Sequence, residues 1–230
     1  MKTTFFPARR GTLTTFFAAL FLLPISLIPA SAQMSLGFRA GVNLATWSVN
    51  DPMAPSDPQS VLLLQVGMPL LVPINDYLAV QPELTFLQKG VEEEEIDQGS
   101  TTTVQAVINY IELPILLKGT FGSEKAKAHL FAGPSLGYAL NGKAKGTADI
   151  LGTKITIEED IDFEEDEISR LDLGLHLGAA VLVPVGSGDL MFDVRYMLGL
   201  INIDDAQVNN IEAYNRGLAL SIGYLFPLGQ

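Results

Sequence analysis

Eight stretches of this chain alternate large apolar residues with small or polar ones, residue by residue. The spacers between them run long, short, long, short, long, short, long. A period of two is the side-chain period of a β-strand, so each stretch presents one apolar face. The last, from Asn215 to Phe226, shows the pattern most plainly. It puts Leu218, Leu220, Ile222, Tyr224 and Phe226 on one face and Gly217, Ala219, Ser221 and Gly223 on the other. An even number of strands joined by alternating long and short connections predicts an antiparallel, up-and-down barrel with both termini on its short-turn side.

The other seven stretches are 35–47, 61–72, 77–89, 108–121, 127–140, 170–183 and 189–201. Pro82 breaks the third, since proline cannot donate to a strand ladder. The long spacers are expected as loops: 48–60, 90–107, 141–169 and 202–214. The second carries Glu92 to Glu95 and the third carries Glu158-Glu159-Asp160 and Glu164 to Glu167. Within the third, Lys154 to Ile157 has the character of a ribbon extending above a barrel.

Ahead of the first stretch lies a leader-like segment. Lys2, Arg9 and Arg10 precede an apolar run from Phe16 to Ile28, too short for a spanning helix, and Ala30-Ser31-Ala32 fits a cleavage site. The expectation is a cleaved signal peptide over 1–32 and one domain over 33–230. The chain has no cysteine, so neither disulfides nor thiolate metal sites are available. Three of its 14 basic residues lie in the leader, which leaves 11 against 26 acids. That balance speaks against a nucleic-acid partner, whose phosphates need clustered Lys and Arg.

A barrel of eight strands could be a soluble one with its apolar face inward. The faces argue otherwise. The polar ones are mostly Gly, Ala and Ser with isolated charges, and the apolar ones are nearly pure Leu, Ile, Val and Phe. Trp47, Tyr77, Tyr110, Phe121, Tyr196, Tyr224 and Phe226 gather near segment ends, as interfacial girdles do. The apolar faces are therefore assigned to outer-membrane lipid. That choice turns Arg39, Glu83, Glu112, Lys118, Asp172, Asp193 and Arg195 into the lumen. An eight-stranded barrel is only wide enough for side chains to fill, so these charges are expected to form a structural network rather than an ion path.

Catalytic chemistry finds little purchase. The two histidines, His129 and His176, belong to no recognisable nucleophile or metal motif. His176 shares a face with Asp172 but stands four residues away along the strand, beyond direct reach. The acids from Asp160 to Glu167 lack the glycine of a calcium loop. No cofactor and no enzymatic activity are expected, and a solvated acidic exterior is.

Several stretches resemble a known family. Gly37-Phe38-Arg39-Ala40-Gly41-Val42-Asn43-Leu44, Val80-Gln81-Pro82-Glu83-Leu84 with Gln88-Lys89-Gly90, Asn109-Tyr110-Ile111-Glu112-Leu113-Pro114, Ala132-Gly133-Pro134 and the closing Gly223-Tyr224-Leu225-Phe226 are similar to outer-membrane β-barrel domain proteins abundant in Bacteroidetes, often labelled porin-family or PorT-like. The resemblance implies a transmembrane barrel in the outer membrane, with Pro82 and Pro114 as family features. It also implies a closing strand that the insertion machinery reads at Tyr224 and Phe226. The expected role is structural or interactive, through acidic external loops toward an unidentified partner. A narrow pore for ions or small solutes is the first alternative, and an accessory of a PorT-like secretion apparatus the second.

Overall fold

The computed structural model describes residues 33–49, 58–97, 100–123, 125–150, 153–204 and 212–229. The leader at 1–32 lies outside them. Among the described residues nine antiparallel strands occur: β1 (Ser35–Val49), β2 (Val61–Pro73), β3 (Leu78–Asp97), β4 (Ser100–Ser123), β5 (Ala126–Ile150), β6 (Thr153–Asp160), β7 (Leu171–Val185), β8 (Gly188–Gly199) and β9 (Ala213–Pro227). Eight close into a ring, in the order β1-β2-β3-β4-β5-β7-β8-β9 and back to β1. Closure is complete along the seam, where β1 and β9 pair from Ser35 opposite Pro227 to Val49 opposite Ala213. A closed ring is what hydrocarbon demands, since an unpaired edge there leaves each orphaned backbone group several kcal/mol out of balance.

Alternation along each strand sets what faces lipid. Phe38, Leu62, Leu64, Leu130, Leu177, Phe192, Leu220 and Ile222 are among the large apolar side chains exposed on the outside. Arg39, Gln65, Glu83, Glu112, Asp193 and Arg195 are buried inside. At one end the strands are joined by tight turns at 74–77 and 186–187, the second using Gly186 at φ 65°, a left-handed conformation that glycine adopts without steric cost. This end takes the short connections and both termini of the described chain.

Three expectations change. The spacers 90–107 and 141–169 are not simple loops. β3 runs on to Asp97, β4 starts at Ser100, β5 continues to Ile150, and β6 pairs back on β5 from Lys143 opposite Asp160 to Ile150 opposite Thr153. Strand pairing persists above the membrane because ladder hydrogen bonds need a partner backbone, not a lipid-facing side chain. The Lys154–Ile157 ribbon thus belongs to a four-stranded outer sheet. Second, Tyr110 is fully buried in the lumen and Trp47 packs inward beside it, so neither belongs to a girdle. Tyr77, Phe121 and Phe226 are exposed at the short-turn end. Third, Pro82 faces outward where the β2–β3 ladder is interrupted, between the pairs Pro69–Glu83 and Val72–Val80, so its missing N–H interrupts little.

Candidate functional site

The lumen charges divide into two groups. In the lower one, toward the short turns, Glu83 is the hub. It accepts a hydrogen bond from Arg39 Nε, and its other oxygen lies 3.3 Å from Arg195 Nη2. Gln81 and Thr85, on the same face of β3, also donate to it at 3.1 and 2.9 Å. Arg195 reaches Asp193 as well, at 3.2 Å through both Nε and Nη2, and Arg39 donates to Ser221 at 3.2 Å. Lys118 shares this level but forms no ion pair within 4 Å among the described residues; its ammonium stands 5.0 Å from the Phe131 ring centroid.

The upper group is built round a residue that its place at the end of a sequence stretch leaves inconspicuous. Lys89 Nζ lies 2.8 Å from Asp172 and 3.4 Å from Glu112. His176 hydrogen-bonds Glu112 at 3.1 Å, and Asn215 donates to Asp172 at 2.9 Å. The seven residues expected in one network therefore belong to two: Arg39, Glu83, Asp193 and Arg195 below, with Lys118 beside them, and Glu112 and Asp172 above. Lys89 escapes a reading of the sequence because it closes a stretch and precedes the Glu92–Glu95 run, where a lysine passes for a rim residue. Its parity on β3, the same as Glu83 and Thr85, is the available signal. With it the buried charges balance, Arg39, Lys89, Lys118 and Arg195 against Glu83, Glu112, Asp172 and Asp193. Neutrality matters because a lone charge in this interior would be strongly destabilising. His176 joins through β4, two strands away, a contact that spacing along one strand could not reveal.

Apolar clusters stand between the two groups on part of the wall and pack at both ends. Leu87, Met197 and Ala219 form one cluster. On β3 Leu87 stands between Thr85 and Lys89, and on β8 Met197 follows Arg195, so on this side of the lumen apolar residues stand between lower and upper. Below, Leu71, Leu116, Phe131, Leu182, Met191 and Leu225 make a floor. Above, Ile108, Tyr110, Ala139 and Phe163 pack together with Trp47, Ile161 and Ile168, and Arg170 stacks 4.1 Å over the Phe163 ring. Beneath the floor, at the short-turn mouth, is a vestibule of about 800 Å³ whose lining includes Asp76, Lys127 and His129.

Outside the membrane the register lays the outer sheet out in rows. Glu93, Val104, Gly146 and Ile157 are mutually opposite across β3, β4, β5 and β6, as are Glu95, Thr102, Ala148 and Ile155. These rows continue the lumen-facing side of the wall, since Ala106 and Val104 follow Ile108 by alternation. The other face holds Gln105, Lys145 and Glu158 in one row and Thr103, Thr147 and Thr156 in the next. Lys143 Nζ pairs with the Glu158 carboxylate. That hydrogen bond raises the lysine and holds the Glu158 carboxyl below its ordinary range. In the acidic turn, Asp162 accepts from the amides of Glu164 and Glu165, so its carboxylate shapes the backbone. Among the described residues no three His, Asp or Glu side chains gather in a way that could hold a metal ion.

A family model described as outer membrane protein beta-barrel domain matches residues 30–205. No curated protein sequence matches the chain. Among solved structures, the chain is similar to a major outer membrane protein from Thermus thermophilus, at 13% identity and a TM-score of 0.46, over 86% of this chain and 100% of that one. Similar too is Ail, the attachment invasion locus protein of Yersinia pestis, at 13% identity and a TM-score of 0.41, over 84% and 99%. The outer membrane protein W of E. coli follows at 12% identity and a TM-score of 0.39, over 85% and 100%.

Proposed function

The chain belongs to the outer membrane protein beta-barrel domain family, whose place is the outer membrane, and from that premise we propose that it is a sealed anchor carrying an interaction surface above the membrane rather than a conduit through it. The observation that carries this reading is the layering of the lumen. A conducting path needs a continuous file of water or polar groups. Here Leu87, Met197 and Ala219 stand between the two polar groups on the β3, β8 and β9 side, and apolar clusters pack above and below. Arg39, Lys89 and Arg195 each pair with carboxylates of their own group, as a structural plug requires and a relay does not. What remains accessible is the outer sheet, held rigidly because β3, β4 and β5 continue from the wall without a hinge.

Planar-bilayer recording tests the reading. The purified protein is expected to give no conductance steps above the lipid background at any applied voltage. Reproducible steps would overturn the sealed barrel in favour of a narrow pore for ions or small solutes.

A further inference from the structure

The outer sheet has two free edges among the described residues, and they are built differently. Past the isolated bridge between Gln59 and Glu92, the β3 edge is Glu93, Glu94 and Glu95, three like charges in a row. Consecutive charges on an edge strand blunt it against pairing with another chain. The β6 edge is mixed: Glu158, Glu159 and Asp160 guard its lower end, whereas Thr153 to Ile157 carry a single charge, Lys154. Its eight residues, Thr153-Lys154-Ile155-Thr156-Ile157-Glu158-Glu159-Asp160, are all exposed, and β6 pairs only with β5. Ile155 and Ile157 are 53% and 62% exposed on the face that also shows Val104 and Ala148. Charge on the β5–β6 hairpin is nearly even, Lys143, Lys145 and Lys154 against Asp149, Glu158, Glu159 and Asp160, in a chain whose formal charge is −12.

The β6 sequence is complementary to itself. Laid antiparallel against a second β6 with Thr156 opposite Thr156, Ile155 meets Ile157, Lys154 meets Glu158 and Thr153 meets Glu159. All three pairs occur twice by symmetry, and every pair keeps both partners on one face, as antiparallel pairing requires. Shifting by two residues toward the C-terminus sets Ile155 opposite Glu159; shifting the other way loses the Lys154–Glu158 pairs.

We propose that the free edge of β6 binds the same edge of a second copy of this chain, joining two outer sheets into one eight-stranded sheet. This deepens the reading that the outer sheet is the working part. It also fixes the geometry. β6 descends from the sheet's tip toward the barrel, so an antiparallel partner descends toward a barrel on the opposite side. The second copy therefore sits in a facing membrane, and the contact is homophilic adhesion between two surfaces. Eight paired residues span roughly 25 Å. An edge of that length buries well under the ~1,200 Å² of a stable complex, so one pair is weak and adhesion depends on many copies acting together.

The test uses the protein reconstituted in phosphatidylcholine vesicles, at about 0.15 M salt where exposed charges are screened beyond roughly 8 Å. Vesicles bearing the protein are expected to aggregate by light scattering. Lys154→Glu sets like charges opposite Glu158, and Glu158→Lys sets like charges opposite Lys154. Each alone is expected to lose aggregation, and a one-to-one mixture of the two vesicle populations to regain it, because each variant then meets its complement. Both variants keep a strongly negative chain, so general attraction between opposite charges does not explain a rescue. As a control, Glu94→Lys on the guarded β3 edge is expected to aggregate as the unsubstituted protein does. Heat-modifiable gel mobility reports that every variant is folded. Unsubstituted vesicles that stay dispersed, single variants that aggregate normally, or a mixture without rescue each overturn the proposal. None of these outcomes bears on conductance, so the sealed barrel stands or falls separately.

Discussion

The barrel wall and the outer sheet are made from the same strands, yet their polarity is inverted. Along β4, Ile111 and Leu117 point outward from the wall, while higher up Val104, Ala106 and Ile108 lie on the inner side. Along β5, Leu130, Tyr138 and Leu140 point outward, and beyond them the outer face turns to Lys143, Lys145 and Thr147 while Ala144, Gly146 and Ala148 lie inside. The change falls at the register shift between Asn109 and Tyr110, where Asn109 faces Asn141 and Tyr110 faces Ala139. One extra residue on β5 there swaps which parity faces out. The pattern follows the medium. Hydrocarbon outside the wall selects apolar residues for the outward face, and water outside the sheet selects polar ones. A bulge lets one strand obey both.

The largest difference between the regions is expected for buried charge. Glu83→Leu removes the hub of the lower lumen group and leaves the Arg39 and Arg195 guanidiniums facing each other inside the barrel, which costs on the order of 3–5 kcal/mol. Glu93→Leu makes the same chemical change on the exposed edge and is expected to stay within about 0.5 kcal/mol. Urea unfolding in detergent micelles measures both, and equal midpoints would break the comparison. A charge placed on each region's apolar face comes next. Leu220→Arg sets a cation on the lipid side of β9, worth about 2–4 kcal/mol near the bilayer centre. Val104→Arg, on the inner side of the outer sheet, already meets water and is expected to change stability by no more than about 0.5 kcal/mol. Reversible folding into lipid vesicles resolves the two. A comparable loss at Val104 would mean that the sheet's inner face is covered.

How much of this was legible in the sequence follows from the same inversion. The wall could be read strand by strand, because Leu, Ile and Phe against Gly and Ser is a contrast of large amplitude. So the ring, its orientation and seven of its lumen charges followed from parity. The outer sheet could not. Thr101-Thr102-Thr103 offers no contrast between faces, Ala144 to Ala148 alternates without a single large apolar residue, and four consecutive glutamates hide any period. The lumen's pairings were out of reach for another reason. Glu112 meets Lys89 out of register on the neighbouring strand and His176 two strands away, on distances set by strand tilt and register, which one chain's spacing does not encode.

Glycine gives the smallest and finest test. In the wall, Gly133 lets β4 and β5 approach so closely that a Cβ on it would stand 1.9 Å from the Ile115 carbonyl oxygen. Backbone must move to admit it, so Gly133→Ala is expected to destabilise by about 1–3 kcal/mol, the range for forcing extra volume into a packed site. In the outer sheet, a Cβ on Gly146 would meet nothing within 4 Å. There the only consequence is a stiffer unfolded chain and a better strand former, so Gly146→Ala is expected to stabilise by about 0.5–1 kcal/mol. Opposite signs for one substitution on one strand, 13 residues apart, would show that β5 is close-packed in the membrane and open above it. If global unfolding does not see the gain at Gly146, hydrogen exchange of the β5–β6 amides should. Slower exchange confined to those amides would mean that the hairpin opens on its own while the barrel below stays shut.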